Sequence, residues 1–463
     1  MNQQELQDLF AKAIGHRSRN ENDAALRAFD RLLLAEPNFT PGWNERAALL
    51  AKLNCHFDAL LCYLMALQLN PEEAGIYTNR GVSFMGLLEF EKAEADFKKS
   101  VELNPSLPEN YNNLGIAKRR IGHVEEAIDY YRKAIEMKPD YADAHLGLAM
   151  SLLETQQFEE GWKEFEWRWD CGQMPRRQVP YPQWRGELLI DGGLLLLAEQ
   201  GLGDVLQFCR YAKFAKERFG GKVYLECRPV LARLMQGIEG IDEVISMGMK
   251  LPGNIAYQIP LCSLPAVVGT EKGFMGPYID ADPDVSAHWA QLLRKTPAGV
   301  RVGLVWAGMN RIEQPVASAI DARRSLVLAQ FAPLAQVKGV TWYSLQLGEP
   351  ALQIKNPPVG MPIVDVTRDF DDFHHTAGCI DNLDLVITVD TAMVHLAASM
   401  GKPTWMLSRF DGCWRWFGDQ ARSPWYPSLR QYRQPEEGNW EPVIDAITRD
   451  LQRFVVAKRK QAA

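Results

Sequence analysis

Apolar positions change rhythm partway along the chain. Over residues 5–168 they recur every three or four residues in short blocks, the spacing of amphipathic helices. From Leu194 onward they come instead as short continuous runs separated by helical stretches. "LLLLAE", "KVYLEC" and "AYQIP" form one set, and "RVGLVWAG", "VTWYSLQ", "PIVDV", "LDLVITVD" and "PTWMLS" a second. Continuous apolar strands alternating with helices predict parallel sheets covered on both faces.

The helical blocks repeat. Pro37, Pro71, Pro105 and Pro139 are spaced 34 apart, as are Ala25, Ala59, Ala93 and Ala127, with Gly161 on the next turn of that column. Phe29, Tyr63, Phe97, Tyr131 and Phe165 make an aromatic column, and Trp43, Tyr77, Tyr111 and His145 mark the first helix of successive units. This is the tetratricopeptide pattern: small residues let two antiparallel helices approach, an aromatic fills the wedge, and proline ends the second helix. Four complete repeats and most of a fifth predict an α solenoid over residues 1–170.

The segment 171–192 has prolines, glycines and arginines but no repeating apolar face, which marks a junction. Its aromatics, Tyr181 and Trp184 among them, predict a packed linker. Beyond it the two strand sets predict two Rossmann-like domains, 193–297 and 298–463, the second ending in an amphipathic helix from Pro442 to Lys458 that crosses back over the body.

Composition narrows the classes. The 463 residues are 47% apolar and 24% charged, ordinary for a globular chain of two or three domains. Net charge is −7: residues 1–170 carry 19 basic and 28 acidic side chains, the remainder 32 and 30, so neither part reads as a nucleic-acid binder. The start has no basic flank followed by an apolar stretch, and no segment stays apolar long enough to span a bilayer, so a cytoplasmic location is expected. Eight scattered cysteines, without a C-x-x-C pair or zinc spacing, predict reduced thiols and no metal site.

Candidate chemistry falls in two places. On the solenoid, Asn79 and Asn113 share a register position, where amides can pair with the backbone of an extended protein partner. Ala11, Glu45 and Gly147 interrupt the column, so solvation of a helix surface is the alternative.

In open parallel sheets ligands bind beyond the carboxyl ends of the strands, which puts four loops in view. The first, Glu199 to Asp204, offers Gln200, Gly201 and Gly203 for a tight turn with close ligand approach, and the carboxylate of Asp204. A dinucleotide fingerprint would read Gly201, Gly203 and Glu226, but Leu206 stands where the third glycine belongs. Asp204 as a plain helix cap is a second alternative.

The second loop starts at Trp306 and carries Asn310, Arg311, Arg323 and Arg324 ahead of a new helix, where arginines suit a diphosphate. A solvated loop is the alternative. The third brings Ser344 and Gln346 to a strand end, able to read a base edge or ribose. The fourth, "VDTAMVHLAASMGKP", ends a buried strand at Asp390, opens a helix at Thr391 and Ala392, and sets His395 one turn on, an anion site. "RDFDD", Arg368 to Asp372, reads as a solvated turn before a helix rather than a metal loop.

"GLGD" combined with "VDTAMVHLAASMGKP" resembles the heptosyltransferase family of glycosyltransferases. A tetratricopeptide arm joined to such a body resembles bacterial flagellin glycosyltransferases and, more distantly, the O-linked N-acetylglucosamine transferases. The resemblance covers nearly the whole chain and implies an α solenoid followed by an α/β GT-B body of two facing Rossmann-like domains. It implies Asp204 as the base that activates the acceptor, and Asp390, Thr391, Ala392 and His395 around the donor diphosphate; Ala392 departs from the glycine frequent there.

The expected activity is inverting, metal-independent transfer of a sugar from a nucleotide-sugar substrate, without a further cofactor, to a protein such as flagellin or to a glycan recruited by the repeats. An inactive transferase fold serving as a scaffold or chaperone is the alternative.

Overall fold

A 34-residue helix pair cannot bury its apolar face alone, so successive pairs must stack. The computed structural model, which describes residues 3–172, 176–309, 315–418 and 420–462, contains that stack. Its helices are α1 (Gln3–Ser18), α2 (Asn22–Ala35), α3 (Thr40–Lys52), α4 (His56–Leu69), α5 (Ala74–Gly86), α6 (Phe90–Leu103), α7 (Pro108–Arg120), α8 (Val124–Met137), α9 (Ala142–Glu154) and α10 (Phe158–Phe165), each packed on the next. The chain divides into two compact units, Met1–Gln173 and Met174–Ala463.

Two columns of the repeat have visible physical causes. Glycine lets the aromatic of the second helix lie against the first: a Cβ on Gly81 would stand 2.6 Å from the Phe97 ring, and one on Gly115 2.7 Å from the Tyr131 ring. The column Trp43, Tyr77 and His145 works differently. The Trp43 indole donates to the Pro37 carbonyl at 2.8 Å, the Tyr77 hydroxyl to the Pro71 carbonyl at 3.1 Å, and His145 Nε2 lies 3.0 Å from the Pro139 carbonyl. Three chemically distinct side chains thus serve one acceptor, the carbonyl of the proline that ended the preceding helix.

The second unit holds two sheets. The first runs through β1 (Leu189–Leu197), α11 (Leu202–Phe208), α12 (Ala212–Phe219), β2 (Gly220–Cys227), α13 (Pro229–Met235), β3 (Glu243–Ser246), β4 (Ile255–Pro260), α14 (Leu264–Val268) and α15 (Pro283–Leu293). Its strand order is β3-β2-β1-β4, all parallel.

The second runs through β5 (Val300–Val305), α16 (Pro315–Arg324), β6 (Val340–Ser344), β7 (Ile363–Asp365), α17 (Phe373–Asp381), β8 (Leu385–Val389), α18 (Ala392–Ser399), β9 (Thr404–Ser408), β10 (Arg422–Ser423), β11 (Tyr426–Arg433) and α19 (Glu441–Ala462). Its order is β10-β11-β9-β8-β5-β6-β7, parallel except where β10 meets β11. β8 and β9 are buried at every residue, including Thr388, Thr404 and Ser408, as strands covered on both faces require.

The segment 176–188 is part of this unit. Trp184 is buried edge-on to Phe219 and its backbone amide donates to the Gln258 carbonyl on the β4 edge, the Gln258 amide donating in turn to the Pro182 carbonyl, while Val179 and Tyr181 pack against the cluster of Leu195 and Leu197. α19 is longer than its apolar pattern predicts and buries Val443, Ile444, Ile447 and Leu451 in the core of the seven-stranded sheet. Among the described residues no helix is long and apolar enough to cross a membrane. All eight cysteines are free thiols.

The glycine column makes a stability prediction. Gly115→Ala should destabilise the solenoid by about 1–3 kcal/mol through overpacking against Tyr131. Gly15→Ala, whose Cβ would meet only the flexible end of Arg19 at 3.5 Å, should be neutral or stabilising by about 0.5–1 kcal/mol. Urea unfolding followed by far-ultraviolet circular dichroism checks both signs.

Candidate functional site

β1 delivers the chain to the first loop, where the tight turn is made by Gln200, at φ 59°, and not by a glycine. A glutamine held left-handed carries strain that the surrounding structure must supply. Gly201 has an ordinary extended backbone, φ −90°, and serves as the N-cap of α11. Asp204 sits on the first turn of that helix: its Oδ2 accepts from the Gly201 amide at 2.9 Å, so the capping alternative describes one of its oxygens. Its other oxygen is ion-paired with Arg415.

Gly203 is needed for what lies opposite. A Cβ there would stand 2.7 Å from His395 Cδ2 and 3.6 Å from the Ala392 Cα. α11 and α18 pack on each other, so the glycine loop of the first sheet and the D-T-x-x-x-H segment of the second meet directly. The close approach expected of a ligand at Gly203 is made by a histidine ring.

Thr391 caps α18, its Oγ1 accepting from the Met393 amide at 3.3 Å, and Ala392 opens the helix. His395 is buried, stacked on Trp416 with ring centres 5.1 Å apart, and its Nδ1 lies 2.9 Å from the Tyr426 hydroxyl. Burial pushes its pKa down to about 3; Asp204 opposes that shift, while Arg415, Arg210 and Arg324 reinforce it. The ring is therefore neutral at physiological pH and can share a proton without holding a charge.

The arginines are not where the spacing put them. Arg323 and Arg324 end α16, with a 3-10 helix starting beyond them at Leu328, and both are engaged. Arg324 donates to the Asp390 carbonyl at 2.6 Å and pairs with Asp321; Arg323 faces Asp411 at 3.2 Å and Glu437 at 3.9 Å. Burial lowers the pKa of Arg323, with Glu437 opposing. Asn310 and Arg311 lie outside the described residues.

Ser344, Gln346 and Trp306 are scaffold. The Gln346 amide oxygen accepts from the Trp306 and Ala307 amides at 3.0 and 2.8 Å, and its nitrogen donates to the Ala307 and Leu347 carbonyls. All of its polar atoms are used in tying β5 to β6, which leaves none to read a base or ribose. Ser344 is fully buried beside it, its hydroxyl accepting from the Gln346 amide. Trp306 belongs to the core of the seven-stranded sheet, and its indole N–H is buried without an acceptor among the described residues.

Several groups at this edge went unread. The loop after β9 supplies Arg409, Asp411, Arg415 and Trp416. Arg409 is paired with Asp411 at 2.6 Å, and burial pushes its pKa down to about 10, against the pull of Asp390 and with the push of Arg323 and Arg324. Burial also opposes the charge on Arg415, but Asp204 together with Cys413 and Cys262 more than offsets it and its pKa lies above the ordinary value. Arg210, on the turn after α11, donates to the Gly273 and Trp425 carbonyls and to the Tyr278 hydroxyl, with the Tyr278 and Tyr426 rings 4.4 and 4.5 Å from it. The strand-end rule that picked four loops applies equally to the one after β9, and it would have named these residues.

On the solenoid, the Asn79 amide donates to Asn44 of the preceding repeat at 3.1 Å, so it is partly committed to the scaffold. Asn113 is half-buried one repeat further on.

The tetratricopeptide-repeat family matches residues 74–107 and 108–141, which are α5–α6 and α7–α8. Protein FlbA of Caulobacter vibrioides is 26% identical over 469 residues, spanning 95% of this chain and 72% of FlbA. Among solved structures, MamA from Desulfovibrio magneticus is 18% identical over 36% of this chain and 97% of that one, with a TM-score of 0.34. YrrB, described as a tetratricopeptide protein with an unusual peptide-binding site, is 19% identical over 35% of this chain and 84% of its own, with a TM-score of 0.32.

The depressed pKa of His395 sets a pH dependence. The unfolded chain takes up a proton at this position below about pH 6.5 and the native one only near pH 3, so the contribution is complete above 6.5 and falls as pH drops. Each pH unit in that window should cost about 1.4 kcal/mol. Between pH 7.5 and 5.0 the wild type should lose about 2 kcal/mol more stability than His395→Asn, read by denaturant unfolding with tryptophan fluorescence.

Proposed function

We propose that the second unit is a GT-B glycosyltransferase that moves a sugar, with inversion, from a nucleotide-sugar to a protein such as a flagellin or to a glycan, and that the solenoid binds the partner carrying the acceptor. One observation carries this reading. Around the start of α18, the Nε–H groups of Arg324 and Arg415 and the indole N–H group of Trp416 are buried without acceptors among the described residues. Opposite them stands the carboxylate of Asp204. Each unsatisfied donor costs about 1–3 kcal/mol, and a diphosphate, whose oxygens are all acceptors, is the kind of ligand that would recover it.

The chemistry follows from that polarity. Asp204 takes the proton of the attacking acceptor hydroxyl while the bond from the sugar to the diphosphate breaks and the nucleoside diphosphate leaves. The arginines and the amino end of α18 hold the charge that develops on the leaving group. Arg415 couples the two sides: a diphosphate that draws it from Asp204 frees the carboxylate to act as base. Neutral His395, wedged against Gly203, fixes the distance between base and anion site.

The same pairing favours a second reading, an inactive fold acting as a scaffold, because Asp204, Arg323, Arg324 and Arg409 each already have a partner. Nucleoside diphosphates separate the two. In an active enzyme they should raise the melting temperature, by about 2.7 kcal/mol of stabilisation at a hundredfold excess over Kd.

Asp204→Asn should cut nucleotide release from the cognate donor by about 10²- to 10⁴-fold while diphosphate binding persists. Arg415→Lys should weaken diphosphate binding more than it lowers turnover at saturation. If no nucleoside diphosphate stabilises the protein and no donor is turned over, the scaffold reading stands.

A further inference from the structure

The second helices of the repeats, α2, α4, α6 and α8, occupy equivalent places on the outer face of the solenoid, so each outward position can be compared across four copies within one chain. At the position of Phe57 the other three carry Asp23, Glu91 and Glu125; at Leu64, Asp30, Lys98 and Arg132; at Met65, Arg31, Lys99 and Lys133. At Leu61 they carry Arg27, Ala95 and Asp129. α4 carries a run of apolar residues on this face, where α2 has the single exposed Leu34, and the face is open: Phe57 is 72% exposed, Leu61 63% and Leu64 47%. Its inward face packs normally through Ala59, Cys62, Tyr63 and Ala66, so the outward residues are surplus to the core.

We propose that this face binds a second copy of the chain, with α4 antiparallel to α4 of that copy and a two-fold axis through Leu61. The pattern is its own complement about that residue. Phe57 and Met65 lie four residues on either side, so an antiparallel partner sets Phe57 over Met65 and Leu61 over Leu61. Asp58, exposed beside Phe57, is the one charged residue within this span, and the register sets it over Leu64 of the copy. An isologous contact needs this kind of self-matching patch.

The flanking helices fit the same axis. On α2, Asp23 and Arg31 are four residues to either side of Arg27; on α6, Glu91 and Lys99 are four to either side of Ala95. All four charged residues are exposed, and antiparallel pairing sets Asp23 against Arg31 and Glu91 against Lys99. A parallel pairing would instead oppose Asp23 to Glu91 and Arg31 to Lys99.

The area asks for these flanks as well: α4 offers on the order of 500 Å² of apolar surface, and a stable interface takes about 800 Å² per partner. Two residues work against the register, Asp58 over the apolar Leu64 and Arg27 over itself. Arg27 meets its own copy across the axis, a repulsion that gives the test a sign.

Sedimentation velocity of the full chain over a concentration series tests the proposal. The wild type should be a dimer at micromolar concentration, and Leu61→Glu, a change at a mostly exposed site, should halve the mass with an unchanged circular dichroism spectrum. Arg27→Ala should tighten the dimer at least severalfold.

In a Cys55→Ser background, oxidised Leu61→Cys should cross-link to itself, whereas Phe57→Cys should cross-link to Met65→Cys in a mixture and not to itself. A wild type that stays monomeric throughout, a dimer indifferent to Leu61→Glu, or Phe57→Cys pairing with itself would each overturn the arrangement.

Discussion

The contact between Gly203 and His395 fixes the α/β unit. Two sheets with separate cores are brought to one place because a helix start without a Cβ can lie against an imidazole carried by the other sheet's helix. Everything charged nearby is arranged around that contact. Asp204 is one residue beyond the glycine and meets Arg415, while His395 is braced from behind by Trp416 and Tyr426. A larger residue at 203 would separate the sheets by the thickness of a methyl group and break the ion pair together with the packing, so the glycine and the aspartate depend on each other.

The ends of the fold that were legible were those where one physical rule acts alone. A 34-residue period leaves little choice but stacked helix pairs, and the mostly apolar runs of β8 and β9 leave little but buried parallel strands. β3 and the β10–β11 hairpin escaped because they mix buried and exposed residues without a continuous apolar run: β11 reads Tyr-Pro-Ser-Leu-Arg-Gln-Tyr-Arg and lies toward the sheet edge, where polar side chains are tolerated. α19 ran longer than its apolar stripe because its last turns extend past the core they cover.

The site was legible at its two motifs and much less so at its cations. Asp204, Thr391 and His395 are local: a loop, a cap and a helix turn place them, and sequence spacing captures all three. Arg323 and Arg324 depended on where α16 ends, which no cap residue announces. The partners of Arg323, Asp411 and Glu437, lie more than 80 residues away, and the Asp390 carbonyl that Arg324 meets lies 66 away. Gln346 looked like a reader of ligands because it is a polar residue at a strand end. The same feature lets it close the gap between β5 and β6, and four hydrogen bonds decide for the second role.

Buried arginines raise a question of cost that the surroundings answer in two ways. Among the described residues Arg210 has no carboxylate as a hydrogen-bond partner; carbonyl oxygens and the faces of Tyr278 and Tyr426 meet its charge, an environment that leaves little for an incoming anion to compete with. Arg409 and Arg323 are crowded together and share Asp411, and burial depresses both of their pKa values. Cations held in that state have more to gain from a second anion than one already satisfied by fixed dipoles. The distinction separates a structural guanidinium from a receptive one on physical grounds, and it places the receptive pair beyond the carboxyl ends of β5 and β9, beside the amino end of α18, rather than at the turn that Arg210 holds shut.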